Sequence, residues 1–283
     1  MHKVIICLAF LACTPYVYAE EREYQYQVIY PGAVEKQRSS YVLDLLELAL
    51  SYSEYQFEIK GSGGHFPTPR NFTFLSKQQE INILWTSTST DREKQFLAVE
   101  IPLLKGLLGL RLPLVLAKNK EVINAHNLTQ LRRYSAGQLL SWVDAKVLKY
   151  NGIEVTGSPT YPALFKMLAA NRFDYFPRSV TEVWAEIDHH KELELAVANN
   201  FAIYYPTAMY FFVNKANYFL HAEVKQGLEK AIADGSFDQL FAKYHQDYIA
   251  KSQIEQRQII RLNNPYYSSA EPVKIDDWLT LQK

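Results

Sequence analysis

Along residues 23–30, EYQYQVIY, polar and apolar side chains alternate with the period of a half-buried strand, and the run stops at the turn signal Pro31-Gly32. The period then changes. In 41–53, YVLDLLELALSYS, the residues Val42, Leu45, Leu46, Ala49 and Leu50 recur three and four apart, which predicts a helix capped by Ser39 or Ser40. A second strand is expected at 55–60, YQFEIK, followed by the Gly- and Pro-rich loop GSGGHFPTPR, a short helical stretch near 75–80 and a third strand at 81–85. Strand, helix, strand, helix, strand is the rhythm of a parallel sheet covered by helices. Ligands of such sheets gather at the carboxyl ends of the strands, so the Tyr30-Pro31 turn and the residues after Trp85 are expected to face one crevice.

Residues 107–117 are strongly apolar and lead out of this unit into a smaller one with the same rhythm. Its elements are a strand near 135–139, a helix over 142–150, a strand at 153–155, a helix at 162–170 and a strand at 173–176. Ser141 opens the first of these helices, and Asp144, three residues on, completes a capping-box pattern. Residues 203–213, IYYPTAMYFFV, form a second long apolar run, in which Pro206 marks an edge or a crossing point because proline donates no ladder hydrogen bond. Two such runs around an inserted α/β unit predict two lobes joined by a double crossover: 20–115 with 205–283 as the first lobe, and 116–204 as the second. Helices are expected at 220–234 and 237–248, separated by Gly235. The tail from 257 on has little periodicity and is expected to wrap over the first lobe.

The first nineteen residues alter the picture of where the chain works. His2 and Lys3 precede the apolar run VIICLAFLAC, and Val17-Tyr18-Ala19 gives a small-residue cleavage site, so 1–19 reads as a secretory signal and the mature chain as periplasmic. Lipoprotein processing before Cys13 is the weaker alternative, since Phe10-Leu11-Ala12 lacks the usual small residue two places ahead. Both cysteines lie in this segment, which excludes a disulfide framework or a thiolate site from the mature chain. The 30 basic residues balance the 30 acidic ones and no basic patch stands out, so nucleic acid and anionic membrane are not expected partners. The 20 Tyr and 4 Trp suit half-wet cleft walls as well as core edges.

The candidate chemistry sits in 85–116. Thr86, Ser87, Thr88, Ser89 and Thr90 offer five hydroxyls in a row, and Arg92 follows with its fixed fork of donors, a set able to hold a carboxylate. The same residues also suit an ordinary helix cap with a solvated arginine behind it. Tyr30, Trp142, Tyr161 and Tyr205 are candidate ligand walls. His189-His190 reads as a solvated pair, because adjacent histidines on a helix diverge and no spaced ligand accompanies them. No cofactor or metal is called for.

In this order and spacing, several short stretches resemble the periplasmic solute-binding proteins that serve polar amino acid uptake, which have a two-lobed type II fold. They are the Tyr-Pro turn, Thr90-Asp91-Arg92, Ile101-Pro102 before a crossover strand, the helix at Ser141, and AIADGSFDQLF at 231–241. The resemblance implies an α/β protein with two parallel or mixed sheets covered by helices and joined by two crossover strands, monomeric, closing on a small carboxylate-bearing ligand. It places the carboxylate grip at Arg92, with hydroxyl and main-chain partners near Thr86 and Thr88, and a second-lobe contribution from Ser141 and the amides after it, where a helix start favours anions. It also implies an aspartate after the stretch matched by Asn171-Arg172-Phe173-Asp174-Tyr175, to meet a ligand amine. Phe176-Pro177-Arg178-Ser179 stands there instead. The ligand is therefore expected to be anionic without an α-amine, or an amino-acid-like molecule whose amine is met differently; Arg178 is expected either to take a second acidic group or to pair with Glu182 or Glu186 one or two helical turns on.

An ABC permease or a membrane sensor would read the closed form. Two other functions stay open. An enzyme on the same fold, of dehydratase or lyase type, would need a general acid or base, for which only Glu80 or Glu100 can be nominated. A ligand-free assembly protein would explain Arg178 as the decay of a pocket.

Overall fold

Alternating apolar positions in β1 (Gln25–Tyr30) and β2 (Gln56–Gly61) build a parallel pair in register from Gln25↔Gln56 to Tyr30↔Gly61, with α1 (Lys36–Ser51) as the crossover between them. The computed structural model describes residues 25–32, 36–64, 66–120 and 123–267. The expected signal segment 1–19, the Cys13 alternative and the tail beyond 267 lie outside them. Next in the chain come α2 (Thr68–Lys77), β3 (Ile83–Ser87), α3 (Thr90–Gln95), β4 (Leu97–Val99) and β5 (Leu110–Leu116). The inserted unit runs through α4 (Leu128–Leu131), β6 (Ala136–Leu139), α5 (Val143–Tyr150), β7 (Val155–Ser158), α6 (Tyr161–Ala169), β8 (Phe176–Ser179), α7 (Val183–His189), β9 (Leu195–Val197) and β10 (Phe201–Tyr204). The chain then returns through β11 (Met209–Val213), α8 (Tyr218–Ala233), α9 (Ser236–Ser252) and β12 (Gln258–Arg261).

The two long apolar runs behave differently. Residues 110–116 form one strand buried along its whole length, which fits its three neighbours: antiparallel β10, β8 and β9 all pair with β5. The run 203–213, expected as one strand, is two. Tyr204 ends β10 against Leu110 of β5, and after Pro206 the chain re-forms as β11, antiparallel to both β3 and β4. Proline ends the first ladder, and the second begins in the other lobe's sheet. The two connections touch at Gly109, where an added Cβ would meet the carbonyl oxygen of Tyr205 at 2.3 Å; only a residue without a side chain admits that approach.

The tail also differs from expectation. Residues 258–261 form β12, parallel to β10, with Ile260 and Leu262 buried beside Ile203 and Phe201. The chain then passes to the first lobe, where Tyr266 O accepts from the Thr90 amide at 3.0 Å and Tyr267 is buried with Tyr210 and Phe212.

The helical face predicted for α1 is the buried one: Tyr41, Val42, Leu45, Leu46, Ala49 and Leu50 are nearly inaccessible. The helix begins at Lys36, ahead of both serines proposed as its cap. It lies on α8 at Gly227, where a Cβ would meet the Ala49 carbonyl oxygen at 1.9 Å. Propensity and packing therefore oppose each other at this position. Gly to Ala in a helix interior normally stabilises by about 1 kcal/mol, whereas overpacking costs about 1–3 kcal/mol or more. Backbone cannot yield as a side chain does, so Gly227→Ala is expected to lower the urea midpoint, and a raised midpoint would contradict this crossing of α1 and α8.

Candidate ligand-binding cleft

Strand β3 buries Ile83 and Leu84 and carries Trp85, Thr86 and Ser87 to its carboxyl end, where all three line a cavity of about 490 Å³ between the lobes. Trp142 before α5, Asp144 in its first turn, and Arg178 at β8 form the facing wall, with Arg111 of β5 between them. Helices α1 and α9 complete the first-lobe side with Tyr41, Tyr244, His245 and Tyr248. Much of the lining is aromatic or aliphatic, including Leu104, Leu108 and Met209.

The charges in this cavity are largely spent on one another. Arg111, 3 % exposed, places Nη2 2.5 Å from Asp144 Oδ1, and its Nε donates to the Tyr205 hydroxyl at 3.1 Å. That hydroxyl donates in turn to Asp144. Arg178, 1 % exposed, reaches Glu186 with Nε at 2.8 Å and Nη2 at 2.8 Å, and Glu182 with Nη2 at 2.7 Å. Its guanidinium lies 4.9 Å from the Trp142 ring centre and 4.7 Å from that of Phe176. Burial alone would favour neutral guanidines. Glu182 and Glu186 outweigh it at Arg178, as Asp144, Tyr205 and Glu182 do at Arg111, so both stay charged above the ordinary arginine value.

Arg92 differs. Ser89 caps α3 by accepting from the Arg92 amide, and the Arg92 Nη1 donates to the carbonyl and hydroxyl of Ser87, at 3.2 Å for the latter. The Phe72 ring centre is 5.1 Å away. No carboxylate lies within ion-pair distance of it among the described residues. Burial pushes its pKa down to about 10, opposed by the more distant Asp144.

The expected site residues separate into three groups. Thr86 and Trp142 line the cavity, and Arg92 stands directly behind Ser87, which does. Tyr30 and Tyr205 support the wall: Tyr30 tilts against Trp85 with ring centres 5.6 Å apart, and Tyr205 is buried beneath Asp144 and Arg111, so neither stacks on the cavity. Thr88 and Ser141 lie outside the lining. The Thr88 amide donates to Ala208 O at 2.8 Å and its hydroxyl to Glu93, tying β3 to the connection before β11.

Ser141 sits in the turn before α5, whose cap position is Trp142. The capping box does not form because the Asp144 carboxylate is drawn to Arg111 and Tyr205. Arg178 needs the largest correction: it lines the cavity, but the acids it meets are the chain's own Glu182 and Glu186, so the cleft is not cationic on both walls. Glu80 and Glu100, nominated for acid–base chemistry, are exposed and outside the lining.

Sequence reading missed Arg111, Tyr41 and His245. Arg111 had a signal, a charge inside the apolar run LLGLRLPLVL, which is tolerated only with a buried partner. His190 packs on Phe165, ring centres 4.1 Å apart, and its Nδ1 is 3.4 Å from Glu192; no group of three metal-ligating residues occurs among the described residues. No helix among them is long and apolar enough to cross a membrane.

No family model matches the chain, and no curated protein matches it in sequence. Solved structures do match. The probable amino-acid ABC transporter extracellular-binding protein ytmK from Bacillus subtilis aligns over 78 % of this chain and 97 % of its own, at TM-score 0.59 and 16 % identity. The periplasmic VFT2 domain of Bordetella pertussis BvgS aligns over 78 % and 93 %, at TM-score 0.60 and 14 % identity. An ancestral arginine-binding protein bound to arginine aligns over 78 % and 97 %, at TM-score 0.56 and 16 % identity. The chain therefore has the periplasmic-binding-protein fold, shared by transport-associated binding proteins and sensor domains.

Two outcomes follow from the buried charges. Arg178→Ala strands Glu186 and is expected to cost about 3–5 kcal/mol in urea unfolding; a loss below 1 kcal/mol would contradict a buried pair. His245 is 6 % exposed, and burial pushes its pKa down to about 4 against the opposing pull of Glu182. Between about pH 6.5 and 4 the unfolded chain binds a proton that the native imidazole refuses, so stability falls as pH falls through that window. His245→Phe is expected to remove about 2–3 kcal/mol of the difference between pH 7 and 4.5, measured as urea midpoints of both proteins at both pH values. An identical pH dependence would place the imidazole in water.

Proposed function

We propose, taking the two-lobed periplasmic-binding-protein fold as premise, that this chain is an extracytoplasmic solute-binding protein whose lobes close on a small ligand bearing a single carboxylate. The observation that carries this reading is the contrast among three arginines, two that line the cavity and one that stands behind its wall. Arg111 and Arg178 have carboxylates of the chain against them, whereas Arg92 is half-buried and, among the described residues, its guanidinium donates to the neutral Ser87 alone. A half-buried guanidinium with no carboxylate beside it among the described residues is under-satisfied, and a ligand carboxylate supplies what it lacks. Thr86 and Ser87 stand on the cavity side to add hydroxyl donors.

The balance of charge supports a narrower ligand class. Asp144, Glu182 and Glu186 outnumber Arg111 and Arg178, so a dicarboxylate would bring its second charge against acids already in place, while an amine beside Glu182 would be tolerated. An amino acid or a simple monocarboxylate fits; the dianion suggested by Arg178 in the sequence does not. Trp85, Trp142 and Tyr248 offer flat apolar surface for the rest of the molecule. The ligand touches both walls only when the lobes are together, so it favours closure by its differential affinity, and an ABC permease or a membrane sensor would read the closed form. Such a role needs no acid–base residue in the cleft.

A thermal-shift screen of amino acids, keto acids, monocarboxylates and dicarboxylates tests this, because a molecule that binds only the native state raises the melting temperature. Monocarboxylates or amino acids are expected to give the largest shifts. Arg92→Ala should then weaken the best of them by about 2–5 kcal/mol in calorimetry, which moves a micromolar Kd to between roughly tens of micromolar and a few millimolar. Undiminished affinity in Arg92→Ala would overturn the carboxylate grip, and larger shifts from dicarboxylates would overturn the single-charge reading.

A further inference from the structure

One side chain in the cavity wall is polar, buried and left without a partner. His245 of α9 lines the cavity at 6 % exposure, and neither Nδ1 nor Nε2 has a hydrogen-bond partner among the described residues. Its neighbours are aromatic: ring centres of Tyr41, Phe241 and Tyr244 lie at 4.5, 4.9 and 6.3 Å. The two nearby hydroxyls are committed elsewhere, Tyr41 to Leu103 O at 2.7 Å and Tyr244 to Asp44 at 2.6 Å, so neither completes the imidazole. Buried polar groups nearly always have a partner, and an orphan in a cavity wall points to something that enters the cavity.

We infer that His245 is a second recognition point of the cleft, where it hydrogen-bonds an uncharged donor or acceptor carried by the aromatic or apolar body of a carboxylate ligand. This rests on the reading that Arg92 holds the carboxylate. The two points stand on different elements, Arg92 on α3 behind the end of β3 and His245 on α9, so a ligand that meets both is specified in length as well as charge. A neutral imidazole presents one donor and one acceptor, which suits a hydroxyl, an amide or a ring nitrogen. Burial keeps the ring neutral at pH 7, and the charged groups of the cavity are engaged with each other, so no ion is needed at this point. A site built to hydrogen-bond such a group rejects the analogue that lacks it, because the imidazole is then left buried and unpaired.

Calorimetry with two matched pairs tests the inference on the full chain: phenylacetate against 4-hydroxyphenylacetate, and L-phenylalanine against L-tyrosine. Wild type is expected to bind the hydroxylated member of a pair about tenfold more tightly or better. His245→Phe is expected to erase that preference while keeping the affinity for the plain member and a melting temperature at pH 7 no lower than wild type, since an unpaired polar group has been removed. His245→Gln keeps a donor and an acceptor and should retain part of the preference.

Equal affinities within both pairs in wild type, or an undiminished preference in His245→Phe, would overturn the inference. Binding that is lost in Arg92→Ala yet blind to the hydroxyl would leave the carboxylate reading standing and remove only His245. No binding of any of the four at millimolar concentration would overturn the inference alone, because the carboxylate reading stands or falls on the wider thermal-shift screen and on Arg92→Ala. Should the phenylalanine variant fail to fold, the wild-type preference and the glutamine variant still decide.

Discussion

The cavity wall that faces β3 is organised by buried guanidinium–carboxylate contacts. Arg111 sits in a strand that is inaccessible along its whole length, and Asp144 and Tyr205 are what make a charge tolerable there. Arg178 is tolerable because Glu182 and Glu186 follow on the same chain segment and Tyr161 donates to Glu186 at 2.6 Å. Such pairs add little net stability over apolar residues of the same size, but breaking one is costly. Their consequence is geometric: Asp144 is pulled out of a helix cap and Tyr205 beneath the wall. What remains open is an aromatic cavity with its ions already matched.

Matching most of the charges gives the remainder its meaning. Arg92 and His245 are polar and under-partnered among the described residues, one cationic and half-buried behind Ser87, the other neutral and buried in the cavity wall. The connecting strands set how the two sheets meet, because Gly109 against Tyr205 fixes the crossing and Pro206 hands the chain from one sheet to the other.

Most of the architecture was legible from periodicity. The apolar face of α1, the parallel β1–β2 pair and the continuously apolar β5 all follow from spacing, because burial on one face or two leaves a direct trace in the chain. Pro206 was rightly singled out, yet its effect was read too weakly: an apolar run on both sides of a proline looks like one strand, and only the partner sheets show it to be two. β12 was invisible because four residues at a sheet edge carry no period of their own.

The site was legible only in kind. By itself the sequence determined that a hydroxyl-rich strand end with an arginine behind it would meet a crevice, since strand order and helix starts are local properties. It also exposed the alternatives at Arg178 without choosing between them. The tertiary structure decided that Glu182 and Glu186 take Arg178, that Asp144 takes Arg111, that Thr88 and Ser141 stand outside the wall and that His245 stands within it. The physical reason is that the pairing of buried charges depends on distances of a few ångströms: Arg111 and Asp144 are 33 positions apart and spacing carries no record of their meeting, while at Arg178 spacing offered the right partners and only the fold shows that they are taken.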